Sequence, residues 1–215
     1  MKKIVLLTGF EPFNGATINP AWEAVRSFKG WIDEDYMVEI LQLPCVFGQA
    51  NRVLCGAVDE IRPDIVLCVG QAGGRADLTV ERVAINVDDA PIVDNDGQQP
   101  VDAPIAPDGP SAYFATLPVK AIVAAMRERD LRASVSQTAG TFVCNHVFYG
   151  LMHHLQDKEV TGGFIHVPYL PEQAASMEGA PPSMALADII AGLKVAMDVA
   201  VRGGDAVVDV AGATH

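Results

Sequence analysis

Basic residues are scarce in this 215-residue sequence. Lys and Arg total 15 against 27 Asp and Glu, which gives a formal net charge of −12 at pH 7. The sequence has no long stripe of Lys and Arg, although binding to nucleic-acid phosphates or to anionic membrane surfaces needs clustered cations. The composition therefore argues against a nucleic-acid partner and against a membrane-surface partner.

Long apolar runs are also missing. The first run, residues 4–7, stops at Thr8 and Gly9. A secretory signal needs about 7–15 apolar residues and a membrane span needs about 20. We therefore expect neither a signal peptide nor a membrane-spanning helix, and we expect a cytoplasmic protein. The short run is instead typical of a buried first strand.

Cysteine is used sparingly, at positions 45, 55, 68 and 144. No CxxC pair occurs, and the histidines are not spaced around the cysteines as zinc ligands would be, so we expect no metal site. The patterns GxxxxGK and GxGxxG are absent as well, and we expect no cofactor. Cys55 and Cys68 fit a helix and an apolar strand as small core residues, whereas Cys45 is ambiguous.

Strand-like and helix-like segments alternate along the whole chain. Strands are predicted at 3–8, 36–43, 64–70, 78–87, 131–135 and 163–167, and helices at 20–30, 48–61, 119–129, from about 144, and 183–202. This order predicts one α/β domain over residues 1–215, with a mostly parallel central sheet and helices on both faces. Residues 88–112 form a long loop of the kind that is usually functional or mobile, and residues 203–215 are expected to fray.

The stretch SQTAGTFVCNHVFYGLMHH, residues 136–154, places Cys144 where a strand and a small-residue loop give way to a helix. Val147 and Leu151 are four residues apart, which is the spacing of an apolar helix face. Near a helix N-terminus, the unpaired N–H groups and the helix dipole favour a thiolate. Cys144 is therefore the candidate nucleophile.

A nucleophilic cysteine needs a base, and usually a third group that orients this base. His166 lies in GGFIHVPYLPEQ, at the carboxyl end of a predicted strand. Ligands bind at that edge of parallel sheets, and the Cys144 loop is expected there too. His146 is only two residues from Cys144 and points to another side of the helix. His166 is thus the candidate base, with a buried structural histidine as the alternative.

The orienting acid is harder to choose from the residues alone. Glu81 lies in DLTVERVAIN, an extended run with apolar neighbours. A charged residue in such a run is often on the solvated side of a half-buried strand, but it can also turn inward and accept an imidazole N–H. Asp94 and Asp96 in the long loop are the competitors for this role.

Three loop phenylalanines are candidates for a ligand pocket. Phe10 and Phe13 follow the first strand in TGFEPFNG, and Phe142 comes two residues before Cys144. Aromatic side chains at a ligand-binding edge can form a flat apolar slot. The alternative, that these rings only fill the core, remains open at this point.

Four segments together resemble the pyroglutamyl peptidase I family, also called the pyrrolidone-carboxylate peptidases: LLTGFEPFNGATINPAWEAV, VGQAGGRADLTVERVAIN, TAGTFVCNHVFYGLMHH and GGFIHVPYLPEQ. The resemblance extends from about residue 4 to residue 173, in the same order and spacing. It implies a cytoplasmic thiol protease that removes N-terminal pyroglutamyl residues from peptides through a thioester and without a cofactor. It also implies self-association, as a homotetramer or a dimer.

The resemblance also assigns roles to single residues. The catalytic residues it implies are the nucleophile Cys144, the base His166 and the orienting acid Glu81. The substrate-binding residues it implies are Phe10, Phe13, Gln71, Phe142 and Val143.

One stretch departs from the family. Where the family reads Ala-Arg-Ile-Pro-Asp-Asn, residues 90–95 read APIVDN, so Pro91 replaces the arginine and Val93 replaces the proline. The resemblance implies an arginine near the carbonyl under attack, and proline has neither the charge nor an N–H. We expect weakened but real activity, with Arg75 or Arg82 as possible substitutes. The alternatives are a cysteine amidase or acyltransferase acting on another small lactam or glutamyl compound, and an inactive small-molecule-binding homologue.

Overall fold

A computed structural model describes residues 2–203 and 211–212. The strands are β1 Lys3–Phe10, β2 Tyr36–Leu43, β3 Ile65–Gln71, β4 Leu78–Glu81, β5 Val83–Ile85, β6 Ala112–Phe114, β7 Ala133–Ser136 and β8 Thr161–Val167. The helices are α1 Pro20–Val25, α2 Gln49–Ile61, α3 Val119–Arg127, α4 Val143–Leu155, α5 Pro171–Ala175 and α6 Leu186–Arg202. Within these residues, no helix is both long enough and apolar enough to cross a membrane.

Six strands form the central sheet, in the order β2-β1-β3-β8-β4-β7. All neighbours are parallel except β4 and β8, which are antiparallel. This confirms the predicted single-domain α/β fold with a mostly parallel sheet. Because β7 is parallel to β4, β7 also runs against β8. The chain therefore leaves β7 in the direction opposite to the end of β8, and the loop that follows returns the Cys144 thiol to Gly70, the register partner of His166.

The two faces of the sheet are covered by different helices, as predicted. Val5 and Leu7 of β1 pack in a core with residues of α1, α3 and α6, whereas Leu6 packs in a second core with residues of α2 and α4. Successive residues of a strand point to opposite faces, which is why one apolar strand serves both cores. Cys144 packs against this second core.

Several local signals confirm the sequence-based assignments, and two short elements were missed. The side chain of Asn19 caps α1 by accepting the N–H of Ala21 at 3.0 Å, with Pro20 in the first turn. The strand β6 begins at the last residue of the predicted long loop and pairs with β5. It has three residues and α5 has five, too few to show a period. The predicted frayed tail lies mostly outside the described residues.

Candidate active site

Glu81 and His166 form a buried hydrogen bond. Nδ1 of His166 lies 2.7 Å from Oε1 of Glu81, and the two residues are 3% and 0% exposed. In the pairing of β4 with β8, Thr79 stands opposite His166. Residues two apart on a strand share a face, so Glu81 projects to the side of the imidazole. Because a carboxylate only accepts, Nδ1 carries the proton and Nε2 keeps its lone pair for a base.

The charge of Glu81 is balanced by Arg75, which lies in the loop between β3 and β4. Nη1 of Arg75 donates to Oε1 of Glu81 at 2.7 Å and to Oγ1 of Thr79 at 2.7 Å, and Nη2 donates to the carbonyl of Thr138 at 2.9 Å. A buried carboxylate without a counter-charge is costly, so Arg75 stabilises the ionised form of Glu81. The guanidinium of Arg75 is thereby occupied by hydrogen bonds to Glu81, Thr79 and Thr138.

The thiol of Cys144 lies over a glycine of the sheet. A Cβ atom at Gly70 would be 2.8 Å from Sγ of Cys144 and 2.8 Å from Cζ of Phe164. Gly70 is the register partner of His166 in the pairing of β3 with β8. The missing side chain at position 70 therefore makes the space in which the thiol lies beside the strand position of the imidazole.

The surroundings of Cys144 raise the pKa of its thiol. Burial raises its pKa well above the usual value, the Cys45 sulfur and the Glu81 carboxylate raise it further, and the guanidinium of Arg75 opposes them. This direction is opposite to the one predicted from the helix N-terminus alone. Attack by the sulfur consequently needs a proton acceptor, and the lone pair of His166 is the group suited to that task.

The first turn of α4 presents backbone donors next to the thiol. Val143 and Cys144 are its first two residues, and the cap residue Phe142 supplies no side-chain hydrogen bond. The N–H groups of the first turn have no acceptor within the helix. They are suited to hold the oxygen of a carbonyl that the sulfur attacks.

Two of the predicted pocket aromatics meet, and a third ring joins them. The centroids of Phe13 and Phe142 are 6.1 Å apart, and Phe47 packs edge-on against Phe142 at 5.4 Å. Sequence reasoning missed Phe47. The signal was present, because Phe47 follows β2 within a few residues, just as Phe13 follows β1.

Two of the other predicted pocket residues are buried, and the third is hydrogen-bonded. Phe10 is 2% exposed and packs against Phe164 at 6.3 Å, and Val143 is fully buried. Gln71 ends β3, and its Oε1 accepts a hydrogen bond from Nε2 of Gln173 at 3.3 Å. Phe10 and Val143 belong to the same buried cluster as Phe47, and Gln71 carries a polar side chain.

The competing acids have other partners or are exposed. Oδ1 of Asp94 accepts the N–H groups of Asp96 and Gln98 at 2.9 and 2.8 Å, and Oδ2 accepts the N–H of Phe47 at 2.9 Å. Asp94 therefore shapes the long loop, while Asp96 is exposed. Within the described part of the chain, no three or more His, Cys, Asp or Glu side chains are arranged to hold a metal ion.

Comparisons with known proteins show the family of this chain. The pyroglutamyl peptidase family model matches residues 2–203. A pyrrolidone-carboxylate peptidase of Enterobacter sp. (strain 638) is 58% identical over 98% of this chain and 99% of its own length. The crystal structure of pyroglutamyl peptidase I from Bacillus amyloliquefaciens superposes with a TM-score of 0.90 at 48% identity, covering 94% of this chain and 96% of that one. A mutant pyrrolidone carboxyl peptidase from the hyperthermophile Pyrococcus furiosus has a TM-score of 0.90 at 43% identity, covering 93% and 98%. The chain therefore belongs to the pyroglutamyl peptidase family.

Proposed function

We propose that this chain is a cysteine peptidase that hydrolyses the amide bond after an N-terminal pyroglutamyl residue. Its family supports the reaction. One observation carries the mechanism: the thiol of Cys144 lies over Gly70, the register partner of His166, and Glu81 holds the other side of that imidazole. Cysteine, imidazole and carboxylate are the three groups that acyl transfer through a thioester requires.

The reaction proceeds in two half-reactions. Nε2 of His166 takes the thiol proton as Sγ of Cys144 bonds to the pyroglutamyl carbonyl carbon, and N–H groups of the first turn of α4 hold the oxygen. His166 then gives this proton to the leaving amine, the C–N bond breaks and a thioester remains. In the second half, His166 takes a proton from water, the hydroxide attacks the thioester, and Cys144 leaves with the proton. Glu81 stabilises the imidazolium in both halves.

The pocket suits the chemistry of pyroglutamate. This residue is a small neutral lactam without a free α-amine, so it needs an aromatic slot and a few amide hydrogen bonds rather than an ion pair. Phe13 and Phe142 supply the slot, Phe10 and Val143 the floor, and Gln71 the polar contact. We propose these five residues as the substrate-binding set.

Hydrolysis of chromogenic amides tests the function. A pyroglutamyl amide should be cleaved, whereas the matched prolyl amide, which has the ring but lacks its carbonyl, should not. Cleavage of other lactam or glutamyl amides without the pyroglutamyl one would support the amidase alternative. Binding of a pyroglutamyl peptide without any turnover would support the inactive homologue.

The family also leads us to propose a cytoplasmic protein that associates with itself, as a homotetramer or a dimer. Light scattering coupled to size-exclusion chromatography measures the mass directly. A mass of one chain, 22.8 kDa, at micromolar concentration would contradict self-association.

Restoring the family pattern with Pro91→Arg and Val93→Pro should raise kcat/KM at least several-fold. The preceding segment is tied to the cysteine loop, because Asp89 N–H donates to the carbonyl of Thr141 at 3.0 Å and Thr141 Oγ1 donates to the carbonyl of Asp89 at 2.7 Å. An arginine at position 91 would start close to the proposed oxyanion site, where one lost donor costs about 10²–10³ in kcat. Steady-state kinetics on a pyroglutamyl amide measure the gain.

The single change Val93→Pro is the matched control, since it restores the backbone without the charge. Two arginines were considered as substitute donors for the family arginine. Arg75 is hydrogen-bonded to Glu81, which leaves Arg82 as the candidate. If the wild type turns over well and the double change leaves kcat/KM level, position 91 is not a missing donor.

A further inference from the structure

His146 is hydrogen-bonded at both of its ring nitrogens. Nδ1 lies 2.8 Å from Oδ2 of Asp88, and Nε2 accepts the backbone N–H of Gly48 at 2.9 Å. Because a backbone N–H can only donate, Nε2 must keep its lone pair, and the ring is neutral with its proton on Nδ1. Both side chains are buried, with His146 at 7% and Asp88 at 6% exposure. The proposed reaction makes no use of this pair.

The ring of His146 supports the aromatic wall of the proposed pocket. Its centroid is 5.4 Å from that of Phe47 in an edge contact, and Phe47 in turn stands edge-on behind Phe142 at 5.4 Å. Gly48, the residue bonded to Nε2, directly follows Phe47. From the other side, Asp94 accepts the N–H of Phe47 at 2.9 Å. Phe47 is thus held by a histidine on one side and by a carboxylate on the other.

We infer that His146 is a positioning residue of the pyroglutamyl pocket, and that its protonation releases Phe47 from behind Phe142 and weakens substrate binding in acid solution. The inference rests on the proposed function, because Phe142 is taken as a pocket wall. It adds Phe47 to the residues that determine binding.

Protonation acts through the bond to Gly48. The imidazolium carries an N–H at both nitrogens, so Nε2–H would face the N–H of Gly48, donor against donor. Loss of the hydrogen bond between the Gly48 N–H and Nε2 displaces the backbone at Gly48, and with it the ring of Phe47. A buried donor left without its acceptor is costly, which makes the displacement favourable once the ring is charged.

Charged groups from several elements lie around His146. Asp88 accepts its Nδ1–H. Arg52 of α2 and Asp96 of the long loop line the cavity that Asp88 and Gly48 also line, and their charges are of opposite sign. Asp94 acts on His146 only indirectly, through its hydrogen bond with the N–H of Phe47. The ring therefore has an anion on one side and a neutral donor on the other, and the neutral donor is the contact that changes with pH.

Substrate affinity in an inactive background tests this. Titration calorimetry with Cys144→Ala should show that the Kd of a pyroglutamyl peptide rises about fivefold or more between about pH 7.5 and about pH 5. In Cys144→Ala with His146→Gln, the amide oxygen can accept the Gly48 N–H without titrating, so the Kd should be similar at the higher pH and level across the range. His154→Gln, on the same helix but paired with Asp59, is the matched control and should keep the acid loss.

A second variant covers the case in which His146→Gln does not fold. Phe47→Leu in the same background should raise Kd at about pH 7.5 and flatten its pH dependence, because the positioned ring is gone. A level Kd in the parent, or an acid loss that persists in His146→Gln or in Phe47→Leu, would overturn the inference. Absence of binding at the higher pH would contradict the proposed function itself.

Discussion

Cys144→Ala should abolish turnover of a pyroglutamyl amide, with kcat falling by roughly 10⁵ or more. The sulfur of Cys144 is the proposed nucleophile, and an alanine methyl group cannot form the thioester. The fold should survive, because the change removes one half-buried atom at the start of α4 and adds none. Thermal unfolding checks this, and a Tm close to that of the wild type would separate lost chemistry from lost structure.

Alkylation of the wild type is the control for this assignment. Burial raises the pKa of Cys45 to about 12, of Cys55 to about 11 and of Cys68 to about 12, and the proposed mechanism gives a base, His166, to Cys144 alone. Iodoacetamide should therefore modify Cys144 first, as mass spectrometry can show. Because the pKa of Cys144 is also raised, its rate should increase with pH through neutrality, whereas a preformed thiolate would give a plateau. Loss of activity in step with alkylation of Cys55 would show that the assignment is wrong.

Glu81→Gln should lower kcat by about 10³–10⁴ and leave KM within a few-fold. The carboxylate holds the Nδ1–H tautomer of His166 and stabilises the imidazolium of the transition state, and it has no part in binding the lactam. The amide would also leave Arg75 without its buried counter-ion, so Tm should be recorded beside the kinetics on a pyroglutamyl amide. Asp96→Asn, at an exposed competitor, is the matched control and should change neither constant.

An unchanged kcat in Glu81→Gln would leave a dyad of Cys144 and His166. Asp94, the next acid considered from the sequence, is not available to replace Glu81. Its two oxygens already accept backbone N–H groups of Phe47, Asp96 and Gln98. A normal rate would thus show that imidazole orientation is supplied by packing, with Phe164 at 4.8 Å from the ring of His166 as the main contact.

Local chemistry was enough to predict most of the elements. Strand β2 was predicted at its observed bounds, and α2 began one residue after the predicted start, because apolar residues of period two and of period 3.6 are strong local signals. The cap at Asn19 followed from side-chain chemistry within two residues. The three proposed catalytic residues were chosen from the sequence as well, although there Glu81 depended on the family resemblance.

Local signals of this kind could not predict which distant segments pair. The antiparallel contact of β4 with β8 brings Glu81 to His166 across 85 residues. The raised pKa of the Cys144 thiol follows from burial, which no local pattern encodes. Arg75 was noticed only as a substitute oxyanion donor, because its role depends on where Glu81 points once both are buried.

The sequence by itself determined most of the strands and helices, the family and the choice of the proposed reacting groups, because these depend on residue type and spacing along the chain. Only the tertiary structure decided the direction of β7, the space that Gly70 leaves for the thiol of Cys144, and the support of Phe47 by His146. Each of these is a contact between residues far apart in the chain, so it exists only when the sheet and its two helix layers have packed together.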